Sequence, residues 1–131
     1  QFAFDARESS NYLPHTYPAN CVVYTGTHDN DTTRGWYHEV GKYARDFAKE
    51  YMCKPRLDED SLAGDFICLA MGSVADLCVI PMQDYLGLGS EARINIPSTL
   101  GGNWVWRMKE GQFDEEMAGE ILRVTKLYGR I

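Results

Sequence analysis

The sequence predicts an α/β fold built on parallel strands. Three observations carry that expectation. First, short β-branched runs alternate with amphipathic helical patterns in the order strand, helix, helix, strand, loop, helix. Second, the run Leu77-Cys78-Val79-Ile80 is apolar without alternation, as in a strand covered on both faces by helices. Third, the densest polar cluster, Thr27 to Thr32, falls between a strand and a helix. In α/β folds that junction is where ligands bind. Two or three parallel strands leave open edges, so the 131 residues are expected to form one incomplete domain, completed by further chain or by copies of itself.

Phe2 to Phe4 is a short apolar stub with the character of a strand end. Residues 8 to 20 are loop-like, with Ser9-Ser10-Asn11 and prolines at 14 and 18. Cys21-Val22-Val23-Tyr24 is a strand, followed by a polar turn from Thr25 to Asp31. Asp31, Thr32 or Thr33 can cap the helix that follows. Trp36, Val40, Tyr43, Ala44, Phe47 and Tyr51 form one stripe, predicting a helix from Arg34 to about Tyr51. A second helix starts at Asp60 or Ser61 and runs to about Met71. Leu77 to Ile80 is the next strand. The Gly-rich stretch from Tyr85 to Ser90 is a tight turn or loop, with an irregular segment running on to Met108. The last helix covers Phe113 to Tyr128, with Asp114, Glu115 and Glu116 in its first turn and Gly129 at its close.

Composition excludes several function classes. Hydrophobic residues make up 44% and charged residues 24%, which is globular composition. The net charge of −6, without a basic stripe, argues against nucleic acid and anionic membrane as partners. No stretch is apolar enough to form a membrane-spanning helix, and the start at Gln1 has no signal-peptide pattern. The four cysteines, at 21, 53, 68 and 78, fit no zinc spacing and are expected as small buried thiols in a reducing cytoplasm.

Three chemistries compete for Thr27-His28-Asp29-Asn30-Asp31-Thr32. Capping needs Asp31 or Thr32 but neither His28 nor Asp29. A metal phosphohydrolase of the His-Asp type would need more ligands, and only His15 and His38 remain. Alternatively, His28 and Asp29 offer a donor and an acceptor to adjacent sugar hydroxyls, and the carboxylate can stabilise positive charge at a sugar carbon. Gly87-x-Gly89 lacks the rest of a dinucleotide fingerprint, and there is no Walker lysine. Trp104 and Trp106 suit either a short strand, with both rings on one face, or a platform for stacking on sugars.

At these residues a family comes into view. Val22 to Trp36 (VVYTGTHDNDTTRGW), Ser73 to Asp76, Gln83 to Asn95 (QDYLGLGSEARIN) and Gly102 to Arg107 (GNWVWR) resemble the 4-α-glucanotransferases, or amylomaltases, of glycoside hydrolase family 77. The opening Gln1 to Asp5 and Leu13-Pro14-His15 match as well. The resemblance implies the C-terminal portion of a (β/α)8 TIM barrel, roughly strands six to eight with their helices. Phe2–Phe4 resembles the end of strand six, Cys21–Tyr24 strand seven and Leu77–Ile80 strand eight. It also implies transfer of α-1,4-glucan segments between maltooligosaccharides by a retaining double displacement, with no cofactor and no metal.

Carried over residue by residue, Asp29 matches the acid that holds the 2- and 3-hydroxyls of the transferred sugar and stabilises its cation-like state. His28 matches the histidine that binds the same sugar, and Asn95 a ligand to the acceptor-side sugar. Gln83, Asp84 and the glycines at 87 and 89 match structural support. A further acid of the family falls on Ala6, with Asp5 beside it, and is not assigned. The nucleophile and the acid/base of the family have no counterpart here and are expected upstream, in the missing N-terminal part of the barrel. The chain alone is therefore expected to be inactive, in the cytoplasm, with α-1,4-glucan as its ligand. The competing expectation is a non-catalytic glucan-binding remnant.

Overall fold

The computed structural model describes residues 1–4 and 11–131. The expectations on Asp5, Ala6, Ser9 and Ser10 lie outside the described residues. Two parallel strands, β1 (Val22–Tyr24) and β2 (Leu77–Val79), pair in the register Val22 to Leu77, Val23 to Cys78 and Tyr24 to Val79. The crossover between them carries three helices: α1 (Thr33–Glu39), α2 (Lys42–Tyr51) and α3 (Glu59–Met71). A short α4 (Met82–Tyr85) follows β2, and α5 (Glu115–Leu127) comes last.

Helix α3 is the central element because apolar residues surround it. Leu62 and Phe66 pack with Phe4 and Ala48, while Ala70 packs with Val23 and Ala75. Ile67 and Met71 pack with Val124 of α5. Phe4 is buried at the middle of an aromatic group, with ring centroids 5.4 Å from Phe66, 5.8 Å from Tyr51, 6.0 Å from Phe47 and 6.2 Å from Trp36. Truncating a ring so enclosed costs about 3–5 kcal/mol.

Caps fix the helix starts. The Thr32 hydroxyl accepts from Gly35 N–H at 3.0 Å, Asp58 from Asp60 N–H at 3.0 Å, and Asp114 from Met117 N–H at 2.9 Å. At the end of α3, Arg130 donates to the carbonyls of Met71 (2.7 Å), Ala75 (3.0 Å), Ser73 (3.0 Å) and Ala70 (3.4 Å). One guanidinium thus satisfies carbonyls that the helix end leaves open, where a positive charge also suits the dipole.

Several expectations are corrected. Phe2–Phe4 is a turn of 3-10 helix rather than a strand end. Phe4 N–H bonds back to the Gln1 carbonyl at 3.0 Å, so its hydrogen bonding is local and needs no ladder partner. The single helix expected from Arg34 to Tyr51 is two, because Val40 and Gly41 are extended (ψ 143° and 158°). Among the described residues the sheet is covered on one face only: Val23 packs against α3, whereas Val22, Tyr24, Leu77 and Val79 are exposed. Cys53 and Cys68 are exposed, and Cys21 and Cys78 half-buried, rather than fully buried; all four thiols are free. Residues 104–106 form no strand, since Trp104 sits at φ 63° after Gly101 and Gly102 at 80° and 73°. The turn expected near Gly87 does need a positive φ, which is 63°, but Gly89 (φ −86°) does not.

Candidate functional site

The end of β1 leads into a turn closed by its own side chains. Asn30 Oδ1 accepts from Thr27 N–H at 2.8 Å and from the Thr27 hydroxyl at 3.0 Å. Asn30 N–H donates to the Thr27 carbonyl at 3.2 Å. Closure at both ends puts His28 and Asp29 at the tip, where they cannot fold back into the core. Their side chains are 52% and 49% exposed.

Behind the tip, two buried carboxylates set the frame. Asp84, on α4, accepts from the Thr25 hydroxyl, from Thr33 N–H at 2.8 Å and from the Thr33 hydroxyl at 2.9 Å. It thereby joins the end of β1, the start of α1 and the segment after β2. Asp31 accepts from Thr32 N–H at 2.7 Å and from the Ser90 hydroxyl at 2.6 Å. Gln83 donates to the Ala92 carbonyl at 3.2 Å. Gln83 and Asp84 act as the support expected of them.

Three predicted residues meet at one atom. Asp29 Oδ1 lies 3.2 Å from His28 Nε2 and accepts from Asn95 Nδ2 at 2.6 Å. Asn95 comes from 66 residues away, carried there by the loop after β2. Among the described residues nothing donates to Asp29 Oδ2, which leaves it open to a ligand hydroxyl. The His28 ring lies 5.1 Å from the Trp104 indole at 33°. Beside this group opens a cleft of about 470 Å³ lined by His28, Asp31, Gln83, Asp84, Arg93 and neighbouring residues. Asp29 and Asn95 stand at its edge through their link to His28, not in its lining.

Two participants were not singled out from sequence. Arg93 donates to the main-chain carbonyl of Asp29 at 2.9 Å and to its neighbour Asn95 at 3.0 Å. Its only sequence signal was its place in the matching stretch Gln83 to Asn95. Ser90 braces Asp31, a bond between residues 59 apart that no local pattern announces. His15 and His38, the remaining histidines, lie elsewhere: His15 on Tyr51 (3.0 Å) and His38 on Glu59 (3.1 Å). Among the described residues no three His, Cys, Asp or Glu side chains are grouped to hold a metal ion.

Comparison with known proteins shows the family. Residues 1–113 match the glycoside hydrolase family 77 described as 4-alpha-glucanotransferase. The 4-alpha-glucanotransferase of Clostridium butyricum is 49% identical over 131 residues, covering 99% of this chain and 26% of the relative. That of Thermus thermophilus is 41% identical, covering 100% of this chain and 27% of the relative. The structure of an amylomaltase from Streptococcus agalactiae in complex with acarbose superposes with a TM-score of 0.86 at 31% identity, covering 97% of this chain and 26% of that one. The chain thus spans about a quarter of the length of the relatives it matches.

Proposed function

Given that the chain belongs to the 4-alpha-glucanotransferase family, we propose that it forms the part of such an enzyme that grips the glucose unit being transferred. The observation that carries this reading is the convergence of His28 and Asn95 on one oxygen of Asp29 at the edge of an open cleft. With Oδ1 held by two neighbours, the carboxylate is oriented before any sugar arrives, and Oδ2 is left to accept from ring hydroxyls. A fixed negative charge there stabilises the oxocarbenium-like state of a retaining glycosyl transfer. His28 supplies a second polar contact to the same sugar, and the tilted Trp104 ring beside it narrows the imidazole's freedom to turn. Asn95 also reaches toward the acceptor side.

In this reading β1 and β2 are strands seven and eight of a (β/α)8 barrel, and their exposed inner face packs against the remaining strands. The nucleophile and the acid/base come from residues outside these 131. Orientation alone does not replace a covalent step, so the chain by itself turns nothing over. Acarbose in the complex of the streptococcal relative supports an oligosaccharide ligand of the α-glucan type for this site.

The test follows maltotriose disproportionation into glucose and longer oligomers. The enzyme of full family length is expected to be active, and its Asp29→Asn variant to lose about 10²–10³-fold in kcat, the scale of one lost electrostatic contact to the transition state. The 131-residue chain alone is expected to give no product. Product from the chain alone, or an unimpaired Asp29→Asn enzyme, overturns the reading.

A further inference from the structure

We propose that Arg93 is the positioning residue of this site, holding the main chains of Asp29 and Asn95 in one geometry so that their side chains meet the sugar together. The proposal rests on the sugar-gripping role of Asp29 and adds the device that sets it.

The reasoning starts from the weakness of the site without it. Asp29 and Asn95 lie on two loops 66 residues apart, and their one direct tie is the side-chain bond Asn95 Nδ2 to Asp29 Oδ1 at 2.6 Å. That tie is exposed, and an exposed bond exchanges readily with water. Arg93 binds the same two residues from behind, through their backbones. Its Nη2 donates to the Asp29 carbonyl at 2.9 Å, and its Nε donates to the Asn95 carbonyl at 3.0 Å. The planar guanidinium fixes the angle between these two bonds, which a lysine ammonium cannot do.

The arginine is itself anchored. Its side chain is only 18% exposed, and Nη1 stands 4.0 Å from buried Asp31 and 3.7 Å from Glu39 of α1. Asp31 is locked in turn by Thr32 N–H and the Ser90 hydroxyl. Arg93 therefore connects the rigid interior to the two exposed loops. It lines the cleft, but its Nε and Nη2 each bond a protein carbonyl and its Nη1 faces Asp31 and Glu39, so its effect on the reaction passes through Asp29 and Asn95.

The experiment is a double-mutant cycle in the enzyme of full family length, reading kcat, KM and melting temperature. Arg93→Lys keeps the charge and loses the fork. It is expected to lower kcat about 10–100-fold, the scale of a sub-ångström to ångström misplacement, with KM changed less than about threefold and melting shifted by only a few degrees. In an Asp29→Asn background the same substitution is expected to cost less than about threefold. Arg93→Gln is the second variant should Arg93→Lys not fold, with the same expected pattern. An unchanged kcat in Arg93→Lys, or a full additional loss in the Asp29→Asn background, overturns the proposal. So does failure of both variants to fold, which makes Arg93 a stability residue. If Asp29→Asn alone leaves activity intact, the sugar-gripping reading fails instead.

Discussion

Gly35 shows how a single residue decides the packing behind the site. It lies in the first turns of α1, where Ala would normally gain about 1 kcal/mol over Gly. Here a Cβ would stand 2.4 Å from the Asp31 carboxylate, far inside contact distance. That carboxylate is buried and held by Thr32 and Ser90, so it has nowhere to move. Overpacking of this kind costs about 1–3 kcal/mol, so the clash wins. Gly35→Ala is expected to lower the denaturation midpoint without changing the m-value, measured in urea. The sequence showed Gly35 inside a matching motif but gave no reason for it, because its reason is a carboxylate folded back over the helix. Asp29 and His28 were legible for the opposite cause: neither is needed to cap the helix, so both stood out as unexplained polar groups.

At the scale of elements, α1 and α3 are tied by an ion-pair group. Arg34 Nε donates to Glu59 Oε1 at 2.6 Å, and its Nη1 reaches the Gly87 carbonyl at 3.3 Å. His38 stands 3.1 Å from the same Glu59 oxygen. The hydrogen bond from Arg34, then that from His38, hold the Glu59 carboxyl below its ordinary value of 4.5. A carboxyl depressed on folding adds stability above its unfolded value and loses it as pH falls through the folded one. Melting temperature is therefore expected to decline as pH drops below about 4.5, and Glu59→Gln to flatten part of that decline. The gain is small at neutral pH, because the pair is partly exposed and screened. The helices themselves were legible from stripe spacing and caps. The break at Val40 and Gly41 was not, because the apolar stripe continues through it while the backbone does not. The alternating rings at Trp104 and Trp106 allowed a strand, which the positive φ angles at Gly101, Gly102 and Trp104 forbid.

For the molecule as a whole, the parallel pair and its helices were legible from element order, and the unpaired edges were anticipated from strand count. What the sequence did not show is that only one face of the sheet is covered among the described residues. The Leu77 run gave the opposite expectation, because a strand lining a barrel interior is as apolar as one under helices. Asp84 then has a consequence for how the chain could be divided. Its carboxylate holds Thr25 and Thr33 from 59 and 51 residues away, and β1 pairs with β2 across a similar span. The exposed stretch at Lys54-Pro55-Arg56 lies between them, and the strand pairing, the Asp84 bonds and the Arg34–Glu59 bond all cross it. A gene split after Arg56 would interrupt one peptide bond and none of these links. The two polypeptides, co-expressed within the enzyme of full family length, are expected to copurify through a tag on either one, and Asp84→Ala to weaken that association.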